Sequence, residues 1–119
     1  MEIKNKLVEA IVKGIQEKKG QNITIADLRG IDGSIANYFV ICEGNSTSQV
    51  EAIADSVSET ARIDAGEKPV RVIGLPQAYW VAMDYVDVLV HVFIPEAREY
   101  YNLENLWQDA DITKVPNID

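Results

Sequence analysis

A single α/β domain, built on a mixed β-sheet with helices on both faces, is the fold class this sequence predicts. Three observations predict it: apolar residues at helical spacing in several stretches, short apolar runs of strand length between them, and no linker, repeat or low-complexity segment to divide the chain. A chain of 119 residues folds around one core with a radius of ~13 Å and needs neither disulfides nor a structural metal.

Ile3, Leu7, Val8, Ile11 and Ile15 recur at three- and four-residue steps, which predicts a helix from Ile3 to Lys19 closed by Gly20. Ile23 to Leu28 has β-branched residues two apart and leads into the turn formers of Arg29 to Ser34, so a strand and a loop follow. Tyr38 to Cys42 is a continuous apolar run, the pattern of a central strand covered on both faces. Ser48 and Glu51 spell a capping box, and Val50, Ile53, Ala54, Val57 and Ala61 carry a second helix to Gly66.

Val70 to Ile73 reads as a third strand. Tyr79 to Met83 and Asp87 to Ile94 are strands joined at Asp84-Tyr85-Val86, either through a tight hairpin or as a continuation. Val88, Val90 and Val92 face one way and Leu89, His91 and Phe93 the other, which calls for helices on both sheet faces. Pro95-Glu96 opens a last helix, with Ala97, Tyr100, Tyr101, Leu103, Leu106 and Trp107 as its apolar contacts. Residues 1–107 are thus expected to form the α/β domain, and 108–119, acidic and aperiodic, a flexible tail.

Eleven Lys and Arg against 19 Asp and Glu leave a net charge of −8. Such a field disfavours free nucleic acid and anionic membrane, whose binding rests on Lys and Arg, and favours a basic macromolecular partner. The start Met-Glu-Ile-Lys-Asn-Lys has no signal-type apolar segment and no apolar run approaches the ~18 residues of a membrane span, so a cytoplasmic protein is expected. The single cysteine, Cys42, rules out an internal disulfide and fits a reducing compartment.

Catalytic readings find little support. Gly44 to Ser48, between a strand and a helix, could cradle a phosphate, but it lacks a Lys and the capping box uses its donors. Asp84 and Asp87 suggest a metal-binding pair, as in a small metal-dependent nucleotidyltransferase, yet a spacing of three puts them on opposite strand faces unless a turn intervenes. A His91–Cys42 dyad would have to form between two apolar strands, and no GxSxG elbow exists. No cofactor is expected.

Aromatic density is the stronger signal. Trp80, Ala82 and Asp84 share one strand face, and a face that mixes Trp with Asp is rarely sealed, whereas Val81, Met83 and Tyr85 make the better core face. Trp80 therefore reads equally as partner anchor or as core, and an anchor would be removable with the fold intact. Glu96, Arg98, Glu99, Glu104, Asp109 and Asp111 read as a solvated face.

The segments Asn37-Tyr38-Phe39-Val40-Ile41, Gly44 to Val50, Ile53-Ala54-Asp55, Trp80 to Phe93 and Tyr101 to Trp107 together resemble the ribosomal silencing factor family, also called Iojap-like. The resemblance runs over roughly residues 5 to 110; its most specific parts are the block from Trp80 through Asp84-Tyr85 and Asp87 to His91, and Leu103-Glu104-Asn105-Leu106-Trp107. It implies a nucleotidyltransferase-like fold without that superfamily's catalytic carboxylates. It also implies a non-enzymatic repressor of translation, which binds the large ribosomal subunit through a basic intersubunit-face protein, large-subunit ribosomal protein fourteen, and blocks small-subunit joining. By position it makes Trp80, Asp84 and Tyr85 partner-facing, with Asp87 and His91 in the same motif. Val86 stands where the family usually has Gly, which would allow a positive φ that Val resists. A homodimer, if formed, is expected to be weak.

Overall fold

The computed structural model describes residues 5–31, 33–34, 36–103 and 110–118. Its radius of gyration is 12.9 Å, the size a one-core chain of this length should have.

Helix α1 spans Lys6–Glu17; Asn5 caps it by accepting the Val8 N–H at 3.0 Å. Strand β1, Gln21–Asp27, and strand β2, Tyr38–Glu43, pair antiparallel. Helix α2, Thr47–Ala65, begins one residue before Ser48. The true N-cap is Ser46, whose Oγ accepts the Gln49 N–H at 3.1 Å, so the capping pair is Ser46–Gln49 and not Ser48–Glu51. Gln49 also links the two helices: its Oε1 accepts the Asn45 N–H at 2.6 Å, and its Nε2 donates to the Lys18 and Lys19 carbonyls at the end of α1.

Three strands follow: β3, Arg71–Ile73, β4, Trp80–Asp84, and β5, Val88–Phe93. Helix α3 is Pro95–Tyr101. It ends earlier than its apolar spacing suggests, because Asn102 turns left-handed at φ 47°; Leu106 and Trp107 lie outside the described residues. Strand β6, Asp111–Val115, corrects the flexible-tail expectation: it pairs antiparallel with β1 from Asp111 opposite Asp27 to Val115 opposite Ile23, so the domain runs past residue 107.

The sheet order is β3-β4-β5-β2-β1-β6, with β2 and β5 parallel and the other pairs antiparallel. Helices α1 and α2 cover one face, where Val40, Val81, Met83, Val88, Val90 and Val92 join Ile11, Ile15, Ile53 and Val57 in the main core. The two helices approach very closely at Gly14: a Cβ there would stand 2.4 Å from Thr60 Oγ1 and 2.9 Å from the Ser56 carbonyl. The Ser56 and Thr60 hydroxyls use that proximity to donate to the Gly14 and Ala10 carbonyls, each at 2.7 Å.

The other face carries a smaller cluster of Ala26, Leu28, Ala36, Phe39, Ile41 and Phe93, on which Ala97 and Leu103 pack from and after α3.

The β4–β5 connection is a tight hairpin. Asp84 Oδ1 accepts the Val86 N–H at 2.8 Å and the Tyr85 N–H donates to the Val88 carbonyl at 2.9 Å. Closing it puts Val86 at φ 74°, a left-handed conformation that a β-branched residue adopts only under strain. Since the Val86 side chain is exposed and packs into no core, Val86→Gly is expected to raise the unfolding free energy by about 1 kcal/mol, the relieved strain exceeding the extra entropy of Gly. Urea denaturation checks this; an unchanged or lower midpoint contradicts it.

Candidate docking face

The residues picked out by sequence fall on both sides of the β4–β5 hairpin. Strand alternation sends Trp80, Ala82 and Asp84 to the α3 side of the sheet and Val81 and Met83 to the α1–α2 side.

Trp80 is half-buried in a layer of rings. It stacks on Phe93 at 5.1 Å between centroids and meets Tyr101 at 4.6 Å and His91 at 5.8 Å. Its Nε1–H donates to His91 Nδ1 at 3.0 Å. Because Nδ1 accepts, the neutral imidazole carries its proton on Nε2, and that buried donor has no hydrogen-bond partner among the described residues. Burial pushes the His91 pKa down to about 4, because a charged ring would lose its hydration there.

Tyr85 and His91 are only 4% and 8% exposed, which corrects their reading as partner-facing contacts. Tyr85 points into the main core, where its hydroxyl has no hydrogen-bond partner among the described residues; burial first and the Glu67 charge second push its pKa up to about 12. His91 supports Trp80 from below.

The groups that do reach solvent here are the outer edge of Trp80, the Asp84 carboxylate, and Val86 and Asp87 at the turn. Asp84 is partly committed, to the Val86 N–H through Oδ1 and to Arg71 at 3.9 Å through Oδ2. Asp87 holds the chain by its backbone, its carbonyl accepting from the Asn37 and Tyr38 N–H groups at 2.8 and 3.1 Å.

A turn does intervene between Asp84 and Asp87, but among the described residues no group of three or more His, Cys, Asp or Glu is placed to share a metal. Cys42 and His91 cannot meet: the parallel register sets Cys42 beside Val92 and Ile41 beside His91, so the thiol lies on the α1–α2 side and the imidazole on the α3 side. Burial pushes the Cys42 thiol far up, away from thiolate chemistry. In the Gly44–Ser48 turn and the start of α2, the Asn45 and Gln49 N–H groups already bind Gln49 Oε1 and Ser46 Oγ.

Arg98 is the functional candidate that sequence reasoning missed. Placed by its neighbours on a solvated acidic face, it instead tucks under α3: Nη1 donates to Glu43 Oε2 at 2.9 Å and to the Asn22 carbonyl at 2.7 Å, and Nη2 to Thr24 Oγ1 at 3.1 Å. The partners are 55 to 76 residues away in sequence, a distance no local charge pattern reveals.

A mixed sheet backed by two helices on one face and left with a half-open aromatic layer on the other defines a small α/β domain. Comparison with known proteins sharpens the class. The chain belongs to the family described as Ribosomal silencing factor during starvation, whose profile matches residues 2–119. It is 39% identical over 112 residues to a ribosomal silencing factor of Halalkalibacterium halodurans, covering 94% of each chain. It is 41% identical over 99 residues to one from Bacillus subtilis, covering 83% of this chain and 82% of that one. A crystal structure of a Chromobacterium violaceum protein superposes with a TM-score of 0.80 at 33% identity, covering 90% of this chain and 87% of the other. Among the described residues no helix is long and apolar enough to cross a membrane.

Proposed function

We propose that this protein is a cytoplasmic, non-enzymatic repressor of translation. It binds the large ribosomal subunit through a basic protein of the intersubunit face, large-subunit ribosomal protein fourteen, and occludes the small subunit by its bulk. The observation that carries the reading is the half-open aromatic layer around Trp80 running into a turn whose exposed apolar tip, Val86, is flanked by Asp84 and Asp87. An apolar centre rimmed by carboxylates suits a basic partner, with the rim speeding encounter and the centre slowing release. The relatives' names support the ribosome as the setting. Trp80, Asp84 and Asp87 are the contact residues, with Tyr85 and His91 holding them from beneath.

Sedimentation tests it. Purified large subunits are expected to pellet the protein, and small subunits added afterwards should join a smaller fraction of them. Asp87→Lys, at an exposed turn position, should weaken pelleting several-fold at low salt without lowering the melting temperature. A protein that neither pellets nor lowers the joined fraction sinks the proposal.

A further inference from the structure

Helix α3 has no buried residue of its own and no side-chain cap at its N-terminus. Its seven residues are too few to hold a helix by propensity alone, so its position depends on attachments. Two stand out, at opposite flanks of β5. Tyr101 lies on Trp80 of β4 at 4.6 Å, and Arg98 reaches over β2 to β1, contacting Glu43, Thr24 and the Asn22 carbonyl. The Arg98 and Glu43 side chains are 11% and 16% exposed. A pair so far removed from water returns little net stability, and what it fixes is geometry. The guanidinium fork suits that task, since its planar donors meet acceptors on both β1 and β2, among them the Asn22 carbonyl, Thr24 and Glu43.

We infer that Arg98 is a positioning residue: it straps α3 across the sheet and thereby sets Tyr101 on Trp80, deciding from the β1–β2 side how much of the Trp80 ring the surface presents. The strap itself is a property of the fold. Its consequence for partner binding rests on the docking reading above, since Trp80 belongs to the proposed contact.

The test uses the full chain carrying Trp107→Phe, so that Trp80 is the sole tryptophan of the two, and reads quenching of its fluorescence by acrylamide. Arg98→Ala and Tyr101→Ala should each raise the quenching constant about two-fold and the double variant no further, the non-additivity of residues acting through one contact. Arg98→Lys, which keeps a charge at Glu43 but not the fork, should fall between. In the chain with both tryptophans, Arg98→Ala should speed amide exchange in residues 95–102 about ten-fold and leave α1 and α2 unchanged. A Trp80 quenching constant that rises in Tyr101→Ala but not in Arg98→Ala overturns the inference, as does exchange that rises equally in all three helices. The same variants in the large-subunit assay read the other link separately: raised quenching with unchanged pelleting upholds the strap and removes the docking face from around Trp80.

Discussion

Trp80→Ala is expected to destabilise the domain by about 3 kcal/mol, because a large ring with packing on several sides leaves a cavity its neighbours cannot fill. Phe93, His91 and Tyr101 all lose a partner at once. His91 loses more than a packing contact, since both of its ring nitrogens are then without a partner where only Nε2 was before. For a chain of 119 residues the melting temperature should fall by on the order of 10 °C. Trp80→Phe keeps an aromatic ring in the stack while removing the pyrrole half of the indole with its N–H, so its cost should be about 1 to 2 kcal/mol, from the smaller ring and the unpaired imidazole nitrogen. Thermal melts of the two variants decide the matter. A Trp80→Ala protein as stable as the parent would restore the free anchor, removable with the fold intact. If the losses come as expected, affinity measured on Trp80→Ala reports stability as well as contact, and Trp80→Phe is the cleaner probe of docking.

Periodicity made the sheet and its two long helices legible. The alternation in β5 and the continuous run of β2 mark the two strands at the middle of the sheet, which need apolar residues on both faces. Strand β6 left no such trace: only Val115 of its five residues is buried, so its hold is a backbone ladder to β1, which carries no side-chain signature. The helix-capping pair was misplaced by two residues because Ser46–Gln49 and Ser48–Glu51 offer equivalent chemistry in overlapping frames, and tertiary contact with the end of α1 favours the first. Tyr85 shows a conflict between two kinds of reading. Alternation put it in the core with Val81 and Met83, where it lies, while its place in the resemblance block suggested a contact. Arg98 was beyond local reading altogether, because an arginine between acidic neighbours has the same pattern whether it is solvated or buried against a distant strand.

His91 makes the stability of the domain depend on acidity in one direction. In the folded protein its pKa is about 4 against an ordinary 6.5, with burial as the cause. Between these values the unfolded chain binds a proton that the folded chain does not, so stability is fully present above pH 6.5 and is lost as the pH falls toward 4. One proton corresponds to about 1.4 kcal/mol per pH unit, and the whole window to about 3 kcal/mol. Asp27 acts outside that window: the Arg29 hydrogen bond holds its carboxyl below the usual 3.8, so its contribution is lost only under more acid conditions. Urea unfolding of the parent at intervals from pH 7 to 4 should show the decline. His91→Asn, whose amide oxygen can accept the Trp80 N–H in place of Nδ1, should flatten it whatever its cost at neutral pH. Parallel curves for the two proteins would show that His91 takes up no proton on unfolding. The same proton must break the indole bond, because Nδ1 is the one nitrogen of the neutral ring free to receive it. Acid should therefore red-shift Trp80 emission of the folded Trp107→Phe chain only as the pH approaches 4, at the lower end of the range in which stability falls. Above pH 6.5 the ring stays neutral and the bond intact, so the aromatic layer keeps one arrangement throughout the neutral range.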